Sequence, residues 1–275
     1  MRCIRPFRSE FGEYGCGQCM PCRINKRREW TARIVLESRC HEANSFVTLT
    51  YAKEFYPGQL VPRDMKLFLR RLRRRVAPKQ VRYFGVGEYG DKSLRAHYHI
   101  ALFGLGMDAE SDIRDSWCDA DSGNMLGWVH VGDLNHDSAQ YIAGYVCKKM
   151  TAKTDPRLEG KYPEFARMSL RPGVGRPACA VVAAALSGHS ATVATCSLDV
   201  PGVVRIDGKK MPIGRYLKRG LREEMGWKAE APQIARAARA IEYMAEDPAV
   251  RERKRESGNA SALQRVKIGQ QKRSL

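Results

Sequence analysis

The apolar positions of this chain keep two rhythms, and the changes of rhythm mark its elements. Over residues 26–40, Trp30, Ile34 and either Val35 or Leu36 recur at three-to-four spacing, as on a helix with one buried side. Residues 45–51, SFVTLTY, are β-branched and aromatic and predict a strand. A loop carrying Pro57, Gly58 and Pro62 follows. Residues 63–76 then predict a helix that buries Met65, Phe68, Leu69, Leu72 and Val76 and is stopped by Pro78. Residues 81–89 and 96–104 predict two strands, and the six residues between them suit a hairpin loop. A shorter strand over 127–134 and a helix over 137–150, N-capped by Asp137 or Ser138, complete the patterned region.

The order α-β-α-β-β-(loop)-β-α predicts an α+β fold, a central antiparallel sheet with helices on one face. Residues 1–28 form a Cys-, Gly- and Arg-rich element ahead of a core spanning 29–150. Beyond residue 151 the pattern weakens. SLRPGVGRP (169–177) reads as a loop, and 178–200 reads equally as helix or strand. Residues 208–226, GKKMPIGRYLKRGLREEMG, predict a short basic helix entered through Pro212, within a C-terminal extension over 151–228. Residues 229–275 are helical in pattern but thinly apolar, and they end in a basic tail expected to be partly disordered.

Composition narrows the class. Of 275 residues 43% are apolar, enough for a core and more than a uniformly disordered chain carries. The longest apolar run, 178–186, has nine residues, where a membrane helix needs about 20. The N-terminus, MRCIRPFRSE, lacks the apolar stretch of a secretion signal. The charge is +18, and that excess implies a polyanionic partner. Much of it sits on one predicted helix: residues 66–82 hold eight Lys/Arg and no acid. A solvated helix face usually mixes signs, so Lys66, Arg70, Arg71, Arg73, Arg74 and Arg75 are candidate phosphate contacts, joined by Lys149 further on.

Three sets of residues can carry chemistry. On a strand, His97 and His99 share a face, while Tyr98, Ile100 and Leu102 point the other way into the core. Two imidazoles so placed can share a divalent metal, although a bare H-x-H is as readily two polar residues on a solvated face. Glu88, near the end of the preceding strand, can bring a carboxylate across the hairpin as a third ligand. Such a site leaves positions open for a phosphate oxygen, with Mg²⁺ or Mn²⁺ as the ion. Tyr141 and Tyr145 stack at i and i+4 on the predicted helix, with Lys148 on the same stripe. A buried aromatic stripe is the bland alternative, yet it would bury Lys148, and Ile142, Val146 and Met150 already supply an apolar face. Gly144 between the tyrosines suits either clearance for a DNA backbone or a helix end.

The chain has nine cysteines. Cys40, Cys118, Cys147, Cys179 and Cys196 are scattered and read as small apolar residues. Cys16, Cys19 and Cys22 form C-x-x-C-x-x-C, and Cys3 is a candidate fourth thiolate for structural zinc. Free thiols in a reducing compartment and an iron–sulfur site are the alternatives.

FVTLTY, then GEYG and RAHYHIALFG, then YIAGYVCKK resemble the three ordered motifs of the HUH rolling-circle replication initiators. The likeness is strongest to the replication initiator of gokushoviruses, small single-stranded-DNA bacteriophages of the microvirus family. CGQCMPCRINKRREW, MSLRPGVGR and the 208–226 segment are similar to other parts of that family, so the resemblance covers most of residues 1–228. It implies a ferredoxin-like or RRM-like HUH endonuclease fold, and a divalent cation on His97 and His99 completed by Glu88. It also implies Tyr141 and Tyr145 as alternating nucleophiles with Lys148 beside them. The implied activity is nicking of the plus strand at the origin of supercoiled replicative-form DNA, leaving a 3′-OH and a 5′-phosphotyrosine, and later rejoining of the displaced single strand. Host helicase and polymerase would be partners, in the cytoplasm of a bacterial host, with no membrane. A plasmid relaxase or single-strand transposase, and a non-catalytic nucleic-acid-binding protein, are the rival readings.

Overall fold

A computed structural model describes residues 1–9, 12–90, 93–119, 121–146, 154–187 and 198–274. They form two compact units, Met1–Glu29 with Cys179–Leu275, and Trp30–Ala178. The chain opens with a short hairpin, β1 (Phe7–Ser9) and β2 (Gly12–Tyr14), followed by α1 (Met20–Ser38). Helix α1 begins six residues before the pattern suggested, with Pro21 in its first turn, where a missing N–H costs nothing. Cys22 is therefore helical.

The unit Trp30–Ala178 is built on β3 (Asn44–Thr50), α2 (Pro62–Arg75), β4 (Arg82–Tyr89), β5 (Ala96–Phe103), α3 (Glu110–Asp115), β6 (Val129–Asp133), α4 (His136–Tyr145) and β7 (Phe165–Met168). Its sheet is antiparallel throughout, in the order β6-β3-β5-β4-β7. From β3 to β6 the connectivity is β-α-β-β-α-β. On one face Val47, Leu49, Tyr98, Ile100 and Leu102 pack against Met65, Phe68, Leu69 and Leu72 of α2 and against Ile113 and Trp117. Each large side chain buried there contributes about 1.5–3 kcal/mol of transfer free energy.

The expected single helical face needs correction. The two crossover helices α2 and α3 do share a face, but α4 and the later turns of α1 cover the other. Trp30 lies 5.1 Å, centroid to centroid, from Phe84 on that second face. The reason is in the strands: Phe84, Val86, Ala101 and Phe103 are as buried as Ile100 and Leu102. Strands apolar at both parities need cover on both sides. Two elements lay below the reach of the pattern. Helix α3 has six residues, too few to show a period, and β7 is a four-residue edge strand.

Glu37, fully buried on α1, ties this second layer together. It accepts from Arg82 Nε at 2.6 Å and from the Gly175 N–H at 2.6 Å, and it lies 3.4 Å from His41 Nε2. Burial alone would raise this carboxyl, but those donors hold it below the ordinary glutamate value.

In the other unit, α5 (Ala178–Ser187) leads to a hairpin, β8 (Val203–Ile206) with β9 (Lys209–Pro212). Asp207 and Gly208 at its tip both have positive φ, 49° and 75°, the Asp-Gly turn whose twist matches paired strands. Residues expected to lead into a helix through Pro212 are thus partly strand, and α6 (Arg215–Glu224) starts after Gly214. Asp199 receives Nε and Nη2 of the buried Arg222 at 2.7 and 2.9 Å. The segment expected to be partly disordered is helical over α7 (Gln233–Ala245) and α8 (Pro248–Ser274). Arg255 of α8 is buried and paired with Glu13 and Glu252. Among the described residues no helix is long and apolar enough to cross a membrane.

Candidate active site

The hairpin β4–β5 places Glu88 directly opposite His97, and Val86 opposite His99. Alternation then turns Glu88, His97 and His99 to the same face. Glu88 Oε1 lies 2.7 Å from His97 Nε2 and 3.0 Å from His99 Nε2, and the three donors all fall within 4.8 Å of one another. Glu88 and His99 are buried and His97 half-buried.

The hydrogen bonds behind the ligands argue for a cation among them. His97 Nδ1 faces the Arg95 carbonyl at 3.1 Å, an acceptor only, so Nδ1 carries a proton there. In the neutral ring Nε2 then turns a lone pair toward a carboxylate oxygen 2.7 Å away. Two acceptors hold that distance only with an added proton or a shared cation. His99 Nδ1 meets the Thr48 hydroxyl at 2.9 Å, the usual outer partner of a ligating imidazole. Thr48 pairs with His99 across β3 and β5. Sequence reading missed it, although the alternation of SFVTLTY already put Phe46, Thr48 and Thr50 on one face.

On the opposite face the sheet beneath the site is pinned. Tyr51 donates to Asp64 at 2.7 Å and shares a 2.8 Å hydrogen bond with Tyr98, and Tyr98 also meets the Val61 carbonyl at 3.0 Å. Burial pushes the Tyr98 phenol up to about 12, so it stays a neutral donor. The residue between the two histidines is thereby locked to the start of α2.

Helix α4 brings the tyrosines over the histidines. Tyr145 stacks on His99 at 5.4 Å and 16°, while Tyr141 meets the same ring edge-on at 5.2 Å. The two phenols are 5.1 Å apart, and Phe46 closes the box against His99 and Tyr141. Their exposures differ: 8% for Tyr145 and 39% for Tyr141. The cap of α4 is Asn135, not Asp137 or Ser138. Asn135 Oδ1 accepts from both of their N–H groups, and Ser138 Oγ returns a bond to the Asn135 N–H. Gly144 falls in the last turn of the described helix. Lys148 and Lys149 lie outside the described residues, as do Cys147 and Cys196.

The basic row of α2 is on the other face of the sheet from this site. Lys66, Arg70 and Arg74 stand exposed and Arg71 is half-buried. Arg73 donates Nε and Nη2 to the Val81 carbonyl at 3.1 and 2.9 Å, and Arg75 pairs with Asp115 at 3.4 Å.

A second donor cluster, in the unit holding Met1–Glu29, consists of Cys3, Cys16, Cys19 and Cys22, with all four sulfurs within 4.8 Å of one another. Cys3 and Cys19 Sγ are 3.7 Å apart, where a tetrahedral ion with 2.3 Å bonds to sulfur requires about 3.8 Å. The N–H groups of Gln18 and Cys19 donate to Cys16 Sγ, and that of Cys16 to Cys3 Sγ. The N–H groups of Cys19 and Gln18, then the Cys3 thiol, lower Cys16 to about 6, whereas burial raises Cys22 to about 12.

Comparison with known proteins supplies the context. The model of the replication-associated protein ORF2 family matches residues 44–154. Replication-associated protein VP4 of Bdellovibrio phage phiMH2K is 30% identical over 197 residues, covering 56% of this chain and 60% of that protein. Replication-associated protein ORF2 of Spiroplasma virus 4 is 33% identical over 172 residues, 56% of this chain and 53% of the relative. Replication-associated protein ORF4 of Chlamydia phage 1 is 30% identical over 156 residues, 51% of this chain and 39% of the relative. The chain thus spans about two fifths to three fifths of the curated relatives it matches. No solved structure matches it. Glu88, His97, His99, Tyr141 and Tyr145 all fall inside the matched segment, and residues 44–154 belong to the replication-associated protein ORF2 family.

Proposed function

We propose that the protein initiates rolling-circle replication of a small phage genome as a metal-dependent, site-specific endonuclease and strand transferase of the HUH fold. One observation carries the reading: a Glu-His-His donor set and two tyrosines converge on His99 from different elements. The β-α-β-β-α-β connectivity and the names of the phage relatives support it.

Glu88, His97 and His99 hold Mg²⁺ or Mn²⁺, which when bound polarises a phosphate oxygen of the origin strand. A tyrosine hydroxyl attacks the phosphorus and loses its proton. The bond from phosphorus to the 3′ oxygen breaks, and that oxygen leaves as the free 3′-OH, with the 5′ phosphate on tyrosine. Tyr141, the more exposed phenol, makes the first attack, and Tyr145 serves the transfer that closes the displaced strand. Lys148 assists by favouring the phenolate. Lys66, Arg70, Arg71, Arg73, Arg74, Arg75 and Lys149 bind backbone phosphates, those of α2 on DNA flanking the cut. The cysteine cluster holds a structural zinc. Host helicase and polymerase extend the 3′ end in the infected cell.

The test is to incubate the protein with Mn²⁺ and labelled single strands from its own genome and look for a covalent adduct. Each single variant, Tyr141→Phe or Tyr145→Phe, should still form an adduct but fail at sustained nick-and-rejoin cycling. The double variant should form none. Normal cycling by Tyr141→Phe, with adduct mapped only to Tyr145, would make this a single-tyrosine enzyme. An adduct formed by the double variant would refute tyrosine chemistry.

A further inference from the structure

We infer that the Trp128 indole is a stacking platform for a base of the single strand bound at the Glu88–His97–His99 site, beside the phosphate to be cut. The inference rests on the function proposed above and adds to it a substrate-positioning residue.

A lone exposed apolar side chain means little. Three features set Trp128 apart. It is the most exposed aromatic ring among the described residues, at 70%. Its backbone is also held firmly. The Trp128 carbonyl accepts from the Thr50 N–H at 3.0 Å and from Thr50 Oγ1 at 3.2 Å, and the Leu126 carbonyl accepts from the Ala52 N–H at 2.9 Å. Gly127 between them has φ 157°, and a Cβ there would lie 2.3 Å from the Thr50 oxygen, so strand and turn are in direct backbone contact. An indole on so fixed a backbone loses little entropy on binding a ligand.

The third feature is position. The pairing of Leu49 with Val129 and of Thr48 with His130, continued by one residue, sets Trp128 opposite Thr50. Thr50 pairs in turn with His97, and His97 with Glu88. Trp128, Thr50, His97 and Glu88 therefore form one row across four strands. Trp128 begins it two strand spacings, about 10 Å, from His97. Val129 packs against the apolar core on the opposite face, so alternation turns Trp128 to the face of the donors. A strand whose phosphate sits at the donors and whose neighbouring base lies over β6 meets the indole without further rearrangement. Stacking on an aromatic ring tolerates every base, so the contact would position the strand and leave sequence choice to other groups.

The test is binding, independent of cleavage, with an oligothymidylate of about 16 nucleotides as probe. Wild-type protein should bind with quenching of indole emission, and Trp128→Phe should lose the Trp128 share of that quenching while keeping most of the affinity. Trp128→Ala, a surface change that leaves the core intact, should weaken binding about 5- to 100-fold. A single abasic site moved along the oligonucleotide should find one position that costs wild type affinity and costs Trp128→Ala none, the coupling expected of a direct pair. Wild-type affinity in Trp128→Ala, no position showing that coupling, or no binding by wild type would each overturn the stacking role. An origin adduct formed by a protein whose Trp128→Ala variant binds normally sinks this inference alone. Absence of the adduct with Trp128-dependent binding intact sinks the nicking reading alone.

Discussion

The two donor clusters of this molecule were built by opposite routes. Cys16, Cys19 and Cys22 are three residues apart in sequence and come together at the entry and first turn of one helix, with Cys3 returning from 13 residues before Cys16. Glu88, His97 and His99 meet only because β4 and β5 pair in one register. The first cluster is all sulfur and its members bond to one another and to their own backbone. The second mixes nitrogen with oxygen, leans on Thr48 and the Arg95 carbonyl, and has Tyr141 open to solvent beside it. A closed thiolate set suits a structural ion, and an open nitrogen–oxygen set suits catalysis. Donor type and openness distinguish the two, not donor count.

Removing ligands at each cluster is the strongest way to break that contrast. His97→Ala with His99→Ala should lower nicking about 1,000-fold or more, roughly 4 kcal/mol, while DNA affinity stays within severalfold because the α2 cations lie on the other face of the sheet. Undiminished nicking by this variant in EDTA would erase the distinction. Cys16→Ser with Cys19→Ser should do the reverse. Metal analysis should find one zinc lost per chain and thermal melting should show a loss of several kcal/mol, with Mn²⁺-dependent nicking retained at a temperature where the variant is folded.

Thr48→Val probes the outer support of one cluster alone. It should weaken Mn²⁺ binding about 10- to 100-fold, with nicking restored by more Mn²⁺ and zinc content unchanged. Loss of nicking that added Mn²⁺ does not restore would assign Thr48 to packing. The smallest effect concerns a carboxylate held by protein donors without any metal. The folded-state pKa of Glu37 is depressed, so its contribution is present above the unfolded value of 4.5 and is lost as pH falls through the lower folded value. Wild type should therefore lose more stability between about pH 6 and 3 than Glu37→Gln in thermal melts. Equal losses would show that Glu37 is not held ionised by Arg82 and Gly175.

Legibility followed the same division. Strong periods gave β3, α2, β4 and β5 to within a residue at each end, because a half-buried strand or helix must repeat its apolar positions. The Asp207–Gly208 turn carried a hairpin signal in two letters, and Pro21 a helix start, yet neither stood out beside a weak apolar pattern. Asn135 was hidden by two equally good capping residues just after it.

By itself the sequence determined which residues can act: the parity that turns His97 and His99 away from Tyr98, the helical spacing of Tyr141 and Tyr145, and the cysteine triplet. These are local, since backbone geometry fixes side-chain direction over a few residues. Tertiary structure alone decided what meets them. Register chose Glu88 and Thr48 as neighbours of the histidines, and the cover on the second face brought α4 down so that Tyr145 stacks on His99. Sheet order put Trp128 in the row of His97 and placed the α2 cations on the far side. Such contacts depend on which strands pair and which faces must be buried, and those are set by the packing of the whole unit rather than by any one segment.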